Sequence, residues 1–224
     1  MFRVCVFDVN ETLLDLRALD PHFQRAFGDP AVRQQWFAQF IQNAFVTTII
    51  ERYQSFGAVG AAALDMIATR RGVTLSSIDR AAILNEIRTL PPYPEVREAL
   101  ERLRRAGFRL ASLTNSTAEV ATYQLTHAGL ADLFENNLSA DEVRRLKPAP
   151  EPYLYAAKAM GVEASQISLI AAHAWDIAGA LNAGCSAAFV ARPGMVLDPL
   201  VPPPDIVGSD LNEVVDQILK IEHG

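Results

Sequence analysis

VFDVNETLLD, residues 6–15, decides how this 224-residue chain is read. The run from Phe2 to Phe7 is short, apolar and rich in valine, and it ends at Asp8 with no hairpin turn. That is the pattern of a buried parallel strand. A carboxylate set directly after such a strand has a defined place at the sheet edge, where it can attack carbon or phosphorus to form an ester or an acyl phosphate. The same residues also fit an ordinary turn in which Asp8 or Asn10 bonds nearby backbone amides.

Beyond residue 20 the rhythm changes. AVRQQWFAQFIQNAFVTTIIERYQSF, AVGAAALDMIATRRG and SSIDRAAILNEIRTL repeat their apolar residues at helical spacing, with no convincing strand between them. Leu90-Pro91-Pro92-Tyr93-Pro94 then breaks the pattern, since each proline removes a backbone donor and restricts its predecessor. After it, helix and strand alternate: EVREALERLRRAG, FRLASLT, STAEVATYQLTHAG, EPYLYAAKAMG, QISLIAA, WDIAGALNAG, SAAFVAR. Alternation of this kind implies parallel βαβ units. The expected fold is α/β: an open, Rossmann-like parallel sheet with helices on both faces, built from residues 1–15 and 92–224, with a helical cap domain inserted at 16–91. DPLVPPPD (198–205) reads as a surface loop and DLNEVVDQILKIE as a closing amphipathic helix.

Bulk properties narrow the function. A formal net charge of -6 disfavours binding to nucleic acid or an anionic membrane, both of which reward a basic face. Cys5 and Cys185 lie in apolar runs without redox or metal-binding spacing, and no apolar stretch reaches the roughly 18 residues of a membrane span. A cytoplasmic setting is the default expectation.

In open α/β sheets ligands bind beyond the carboxyl ends of the strands. Four segments offer polar groups there: Asp8 with Asn10 and Thr12; Thr114-Asn115-Ser116; Lys147 ahead of the helix holding Tyr153; and His173-Ala174-Trp175-Asp176. Singly, Ser116 reads as a helix cap, Lys147 as a solvated charge, His173 as a satisfied histidine and Trp175 as core. Their shared order and position argue for one site.

FDVNETLLD, LTNST, LKPAPEPY and AAHAWDIAG resemble, in order and spacing, the four signature motifs of the haloacid dehalogenase superfamily, and KPAPEPY with HAWDIAG is similar to its type II 2-haloacid dehalogenases. The resemblance implies that Asp8 is a nucleophile that displaces halide and leaves an ester for water to hydrolyse. It likewise implies that Thr12 lies near that carboxylate, that Thr114 and Asn115 hold the substrate carboxylate or order the pocket, and that Lys147 keeps Asp8 ionised. Asp176 would orient the lysine and the water, Tyr153 and Trp175 would shape the pocket, and the partner would be a small anionic substrate. Relatives of this type are commonly homodimers, although the apolar cap helices could equally pack on one another.

The departures are informative. Phosphatases of this fold place a second aspartate where this chain has Asn10, and an amide cannot transfer the proton an alkoxide needs. A magnesium site would want a further carboxylate at Ala172, so no cofactor is expected, Mg2+ belonging only to an alternative reading as a phosphoester hydrolase. A third reading is a catalytically altered binding protein of the same fold. Within the dehalogenase branch, Asn10 replaces a usual tyrosine, Ala171 and His173 replace a serine and an asparagine, and Phe37 falls where a cap arginine receives the halide, with Arg33 one turn earlier. Other donors for the halide would be His173, Asn10, Gln39 or Asn43. His173 would either activate the hydrolytic water or bond the leaving group.

Overall fold

The computed structural model describes residues 4–223; Phe2, where the first strand is expected to begin, lies outside them. Strands β1 (Val4–Phe7), β2 (Arg109–Thr114), β3 (Asn136–Ser139), β4 (Ile167–Ala171), β5 (Ser186–Val190) and β6 (Ile206–Gly208) form one sheet. Its order is β3-β2-β1-β4-β5-β6 and every pairing is parallel. β1 is central, and the chain crosses from β3 to β4 over it, so β1 and β4 flank the switch point where such sheets open a crevice.

Alternate residues of each strand feed opposite cores, the period of two that a strand imposes. Cys5 and Phe7 face one core, together with Leu100, Leu103, Leu125 and Val214 from helices α5 (Val96–Arg105), α6 (Ala118–His127) and α9 (Leu211–His223). Val4 and Val6 face the other, with residues of α7 (Pro150–Met160) and α8 (Ala174–Asn182). Val96, Ala99, Leu100 and Leu103 recur at i, i+3, i+4 and i+7, so α5 buries one stripe and turns its arginines outward. Each leucine so buried contributes about 1.5–3 kcal/mol.

Residues 20–86 fold as α1 (Asp20–Phe27), α2 (Val32–Ile49), α3 (Phe56–Arg71) and α4 (Ser77–Glu86). The chain leaves and returns side by side: Asp15 donates its N–H to the Pro91 carbonyl (2.8 Å) and Tyr93 donates to Leu13 (3.0 Å). α2 and α3 lie close because Gly60 has no Cβ, which would run into the Phe40 ring; the Trp36 indole donates to the Gly60 carbonyl (3.0 Å).

Two features were not legible in the sequence patterns. The apolar run from Ala31 to Phe56 is not one helix: it breaks after Ile49, Glu51 takes a left-handed backbone (φ 58°), and Ser55 caps α3 through the Ala58 N–H. β3 and β6 are absent from the sequence reading. Asn136-Asn137-Leu138-Ser139 carries no β-branched residue and β6 has three residues, so neither has the periodicity that marks a strand; pairing with β2 and β5 makes them.

Candidate active site

Asp8 ends β1, and its N–H donates to Ile170 of β4 (3.0 Å), which sets the carboxylate at the crevice between the two strands. It is 5 % exposed. Oδ1 accepts from the Lys147 Nζ at 2.8 Å. Oδ2 accepts from the Thr12 hydroxyl at 2.7 Å and lies 3.3 Å from Nδ1 of His173. Thr12 is oriented in turn by the Ala172 N–H (3.0 Å). Burial alone would raise the Asp8 pKa, but the Lys147 charge and the bond to His173 outweigh it and hold the carboxyl well below the usual range. The nucleophile is therefore ionised.

Lys147 is buried, its ammonium shared among Asp8, the Leu113 carbonyl (3.0 Å) and Asp176 Oδ2 (2.6 Å). Burial would lower its pKa; the charges of Asp176 and Asp8 reverse that. Asp176 carries the unfavourable side of the cluster, since burial raises its pKa, Lys147 lowers it, and the nearby Asp8 charge raises it again. Its other oxygen accepts from the Tyr153 hydroxyl (2.5 Å). That contact depends on Gly179, where a Cβ would collide with the Tyr153 hydroxyl and Pro148. Asn115 clamps the Lys147 backbone, accepting from its N–H (2.8 Å) and donating to its carbonyl (3.4 Å).

A small cavity of about 10 Å³ lies against Asp8, lined also by Asn10, Thr114, Asn115, Lys147, His173 and Trp175, and by Phe37, Ile41 and Phe56 from the helical segment. Of the residues singled out in the sequence, Thr12, Asp176 and Tyr153 do not line this wall: Thr12 and Asp176 act on Asp8 and Lys147 from behind it, and Tyr153 of α7 supports Asp176 of the neighbouring α8. Phe37 does reach the cavity, with its ring 5.8 Å from that of His173, while Trp175 stacks on His173 at 4.9 Å. Gln39 and Asn43 bond each other (2.8 Å), with Arg70 on Gln39 and Met66 on Asn43, and do not line the cavity.

Sequence reasoning missed what holds His173. Nε2 lies 3.0 Å from Glu11 Oε2, and Glu11 is paired with Arg33 (3.6 Å), which bonds Asp20 (2.5 Å). Burial would lower the His173 pKa, but hydrogen bonds and charge from Asp8 and Glu11 push it up to about 9. The ring is an imidazolium at neutral pH. Glu11 reaches it from a left-handed backbone (φ 61°), a conformation that costs a non-glycine residue about 1–3 kcal/mol and recurs at functional sites. The signal was its position inside VFDVNETLLD. Two further side chains were overlooked. Arg192, buried, donates to the Thr12 carbonyl from Nη2 (2.8 Å) and lies over the Tyr93 ring; Gln124 donates to the Asn10 side-chain carbonyl (3.0 Å).

A magnesium ion does not fit this donor set. Both oxygens of Asp176 are committed to Lys147 and Tyr153, both of Asp8 to Lys147, Thr12 and His173, and position 172 is alanine.

Comparison with known proteins agrees with this geometry. Residues 2–184 match the family model described as haloacid dehalogenase-like hydrolase. The chain is 30 % identical over 214 residues to (S)-2-haloacid dehalogenase 2 of Pseudomonas sp. (strain CBS-3), covering 95 % of this chain and 93 % of that protein. Its fold is similar to that of the L-2-haloacid dehalogenase of Xanthobacter autotrophicus with chloropropionic acid covalently bound (TM-score 0.91, 24 % identity, 98 % and 99 % of the two chains). A second L-2-haloacid dehalogenase structure is similar at 27 % identity and TM-score 0.89, with 97 % and 99 % of the chains covered. Among the described residues no helix is long and apolar enough to cross a membrane.

Proposed function

Because the chain belongs to the haloacid dehalogenase-like hydrolases, we propose that it converts a small 2-haloalkanoic acid to the 2-hydroxy acid through an ester on Asp8, without a metal. It is a hydrolase of carbon–halogen bonds. The observation that carries the rest of the reading is an ionised, desolvated Asp8 fixed by Lys147 and Thr12 on the wall of a small cavity.

In the first step an oxygen of Asp8 attacks C2; the C–O bond forms as the C–halogen bond breaks, and halide leaves with the electron pair. Lys147 and the His173 imidazolium offset the negative charge gathered by nucleophile, substrate carboxylate and halide. In the second step water attacks the ester carbonyl carbon, the tetrahedral intermediate collapses, and hydroxy acid and the Asp8 carboxylate are released. Esterification removes the Asp8 anion, one of the two carboxylates that hold the proton on His173. The ring then loses that proton to solvent more readily and, once neutral, takes one from the attacking water and passes it to the alkoxide oxygen of the departing hydroxy acid; the water's second proton goes from the new Asp8 carboxyl back to the ring. Thr114 and the Asn10 amide, whose carbonyl is committed to Gln124, are donors for the substrate carboxylate or halide.

Residues 16–91 serve as a cap in this reading, contributing Phe37, Ile41 and Phe56 to the cavity wall. The enzyme works in the cytoplasm as a homodimer, a pairing supported by exposed Val46, Ile49 and Ile50 at the end of α2 and Met66 on α3. Sedimentation at micromolar concentration would read one chain mass if this is wrong.

The test of the reaction is incubation without metal against panels of 2-haloacids and phosphoesters, with halide and phosphate measured. Halide release that disappears in Asp8→Asn is expected. Phosphate release stimulated by magnesium would overturn the proposal.

A further inference from the structure

The cavity at Asp8, at about 10 Å³, has room for about one water molecule and none for an alkyl chain extending beyond C2. Across Asn10, Phe37 and Phe56, which line both, lies a second cavity of about 310 Å³, the size of a small-molecule pocket. Its wall is mostly apolar: Leu16, Trp36, Phe40, Leu84, Ile87 and Val120, with Leu16, Trp36 and Phe40 fully or almost fully buried. The cation on its lining, Arg88, is already paired with Glu119 (3.1 Å) and set over the Tyr123 ring at 4.9 Å. An occupant therefore needs apolar bulk and no distal charge.

Resting on the dehalogenase reading, we propose that the substrate is a 2-haloalkanoic acid with an uncharged aliphatic tail of several carbons, seated in this second cavity while its C2 meets Asp8 past the Phe37 ring. The polar groups cluster at one end, at Asp8, Thr114, Asn115, Lys147 and His173, and the apolar wall lies at the other, the layout an amphipathic acid requires. Phe37, where the type II pattern places a charged arginine, stands with Phe56 as an apolar side chain between the two spaces.

The experiment compares (S)-2-chloroalkanoates from three to ten carbons by halide release, alongside calorimetric binding of the halogen-free acids propionate and octanoate. kcat/KM is expected to rise by about fourfold for each methylene buried until the cavity is full, and octanoate to bind about tenfold or more tighter than propionate. Val120→Trp on α6 and Leu84→Phe on α4, both half-buried positions on the wall, fill the cavity from different helices; each is expected to flatten the chain-length dependence of rate and binding. A flat or falling wild-type series with halide released from the short acids would overturn the tail site alone. Silence toward every haloacid while octanoate still binds tightly, and loses that binding in the two variants, would overturn the dehalogenase reading and leave the site standing. A length dependence unchanged in both folded variants would place the tail elsewhere.

Discussion

The two oxygens of Asp8 face two different electrostatic neighbourhoods. On the Oδ1 side, Lys147, Asp176 and Tyr153 form a closed set, each at most 1 % exposed and each within the α/β core. On the Oδ2 side a row of charges runs outward from His173 through Glu11 and Arg33 to Asp20 at the start of α1, crossing from the sheet into the helical segment. Lys147 holds its charge across the accessible pH range; His173 titrates near 9. One side makes Asp8 a nucleophile, and the other makes the charge beside the leaving group depend on pH and on the seating of helices α1 and α2.

Lys147→Met breaks this comparison most severely. It leaves Asp8 and Asp176 facing each other without a cation, and the loss of stability is expected at about 3–5 kcal/mol by chemical denaturation. Burial then dominates the Asp8 pKa, so the acid limb of kcat moves upward in pH, and kcat itself falls by roughly 10²–10³-fold in halide-release assays.

His173→Gln removes the titrating side and keeps the volume. A loss of roughly 10²-fold in halide release is expected, with the alkaline limb near pH 9 gone from the rate profile. Turnover unchanged across pH would remove His173 from the mechanism.

The same group links stability to pH. Its folded pKa, about 9, lies above the ordinary 6.5, so its contribution is complete below about 6.5 and is lost as pH rises through 9. Wild-type denaturation midpoints are expected to fall across that window, and those of His173→Gln to fall less.

Glu11→Gln sharpens the comparison further, because it keeps His173 in place and removes one of its two anions. The alkaline limb is expected to move down from 9 toward 6.5, with kcat at neutral pH reduced by roughly tenfold or less. The smallest effect is assigned to Arg33→Met: a severalfold change in KM with the Asp8 limb unmoved, since Arg33 acts on the site only through Glu11.

The sequence by itself determined the sheet core and the nucleophile's side of the site. β1, β2, β4 and β5 are apolar runs ending where polar residues begin; Asp8 and Thr12 follow β1, Thr114 and Asn115 stand at the end of β2, Asp176 follows β4, and Lys147 precedes the helical run of α7. A strand's period and its terminus are local properties, visible in a few consecutive residues. Only the tertiary structure decided the rest. β3 and β6 exist because neighbouring strands pair with them, and Tyr153 proved to support Asp176 rather than line the pocket. Glu11, in the turn after β1, meets His173 across 162 positions, and Arg33 meets Glu11 from helix α2. The large cavity takes Trp36, Leu84 and Val120 from three helices, α2, α4 and α6. Charges and walls assembled from distant segments leave no periodicity in the chain; their energies come from burial and mutual distance, which exist only once the helices have packed.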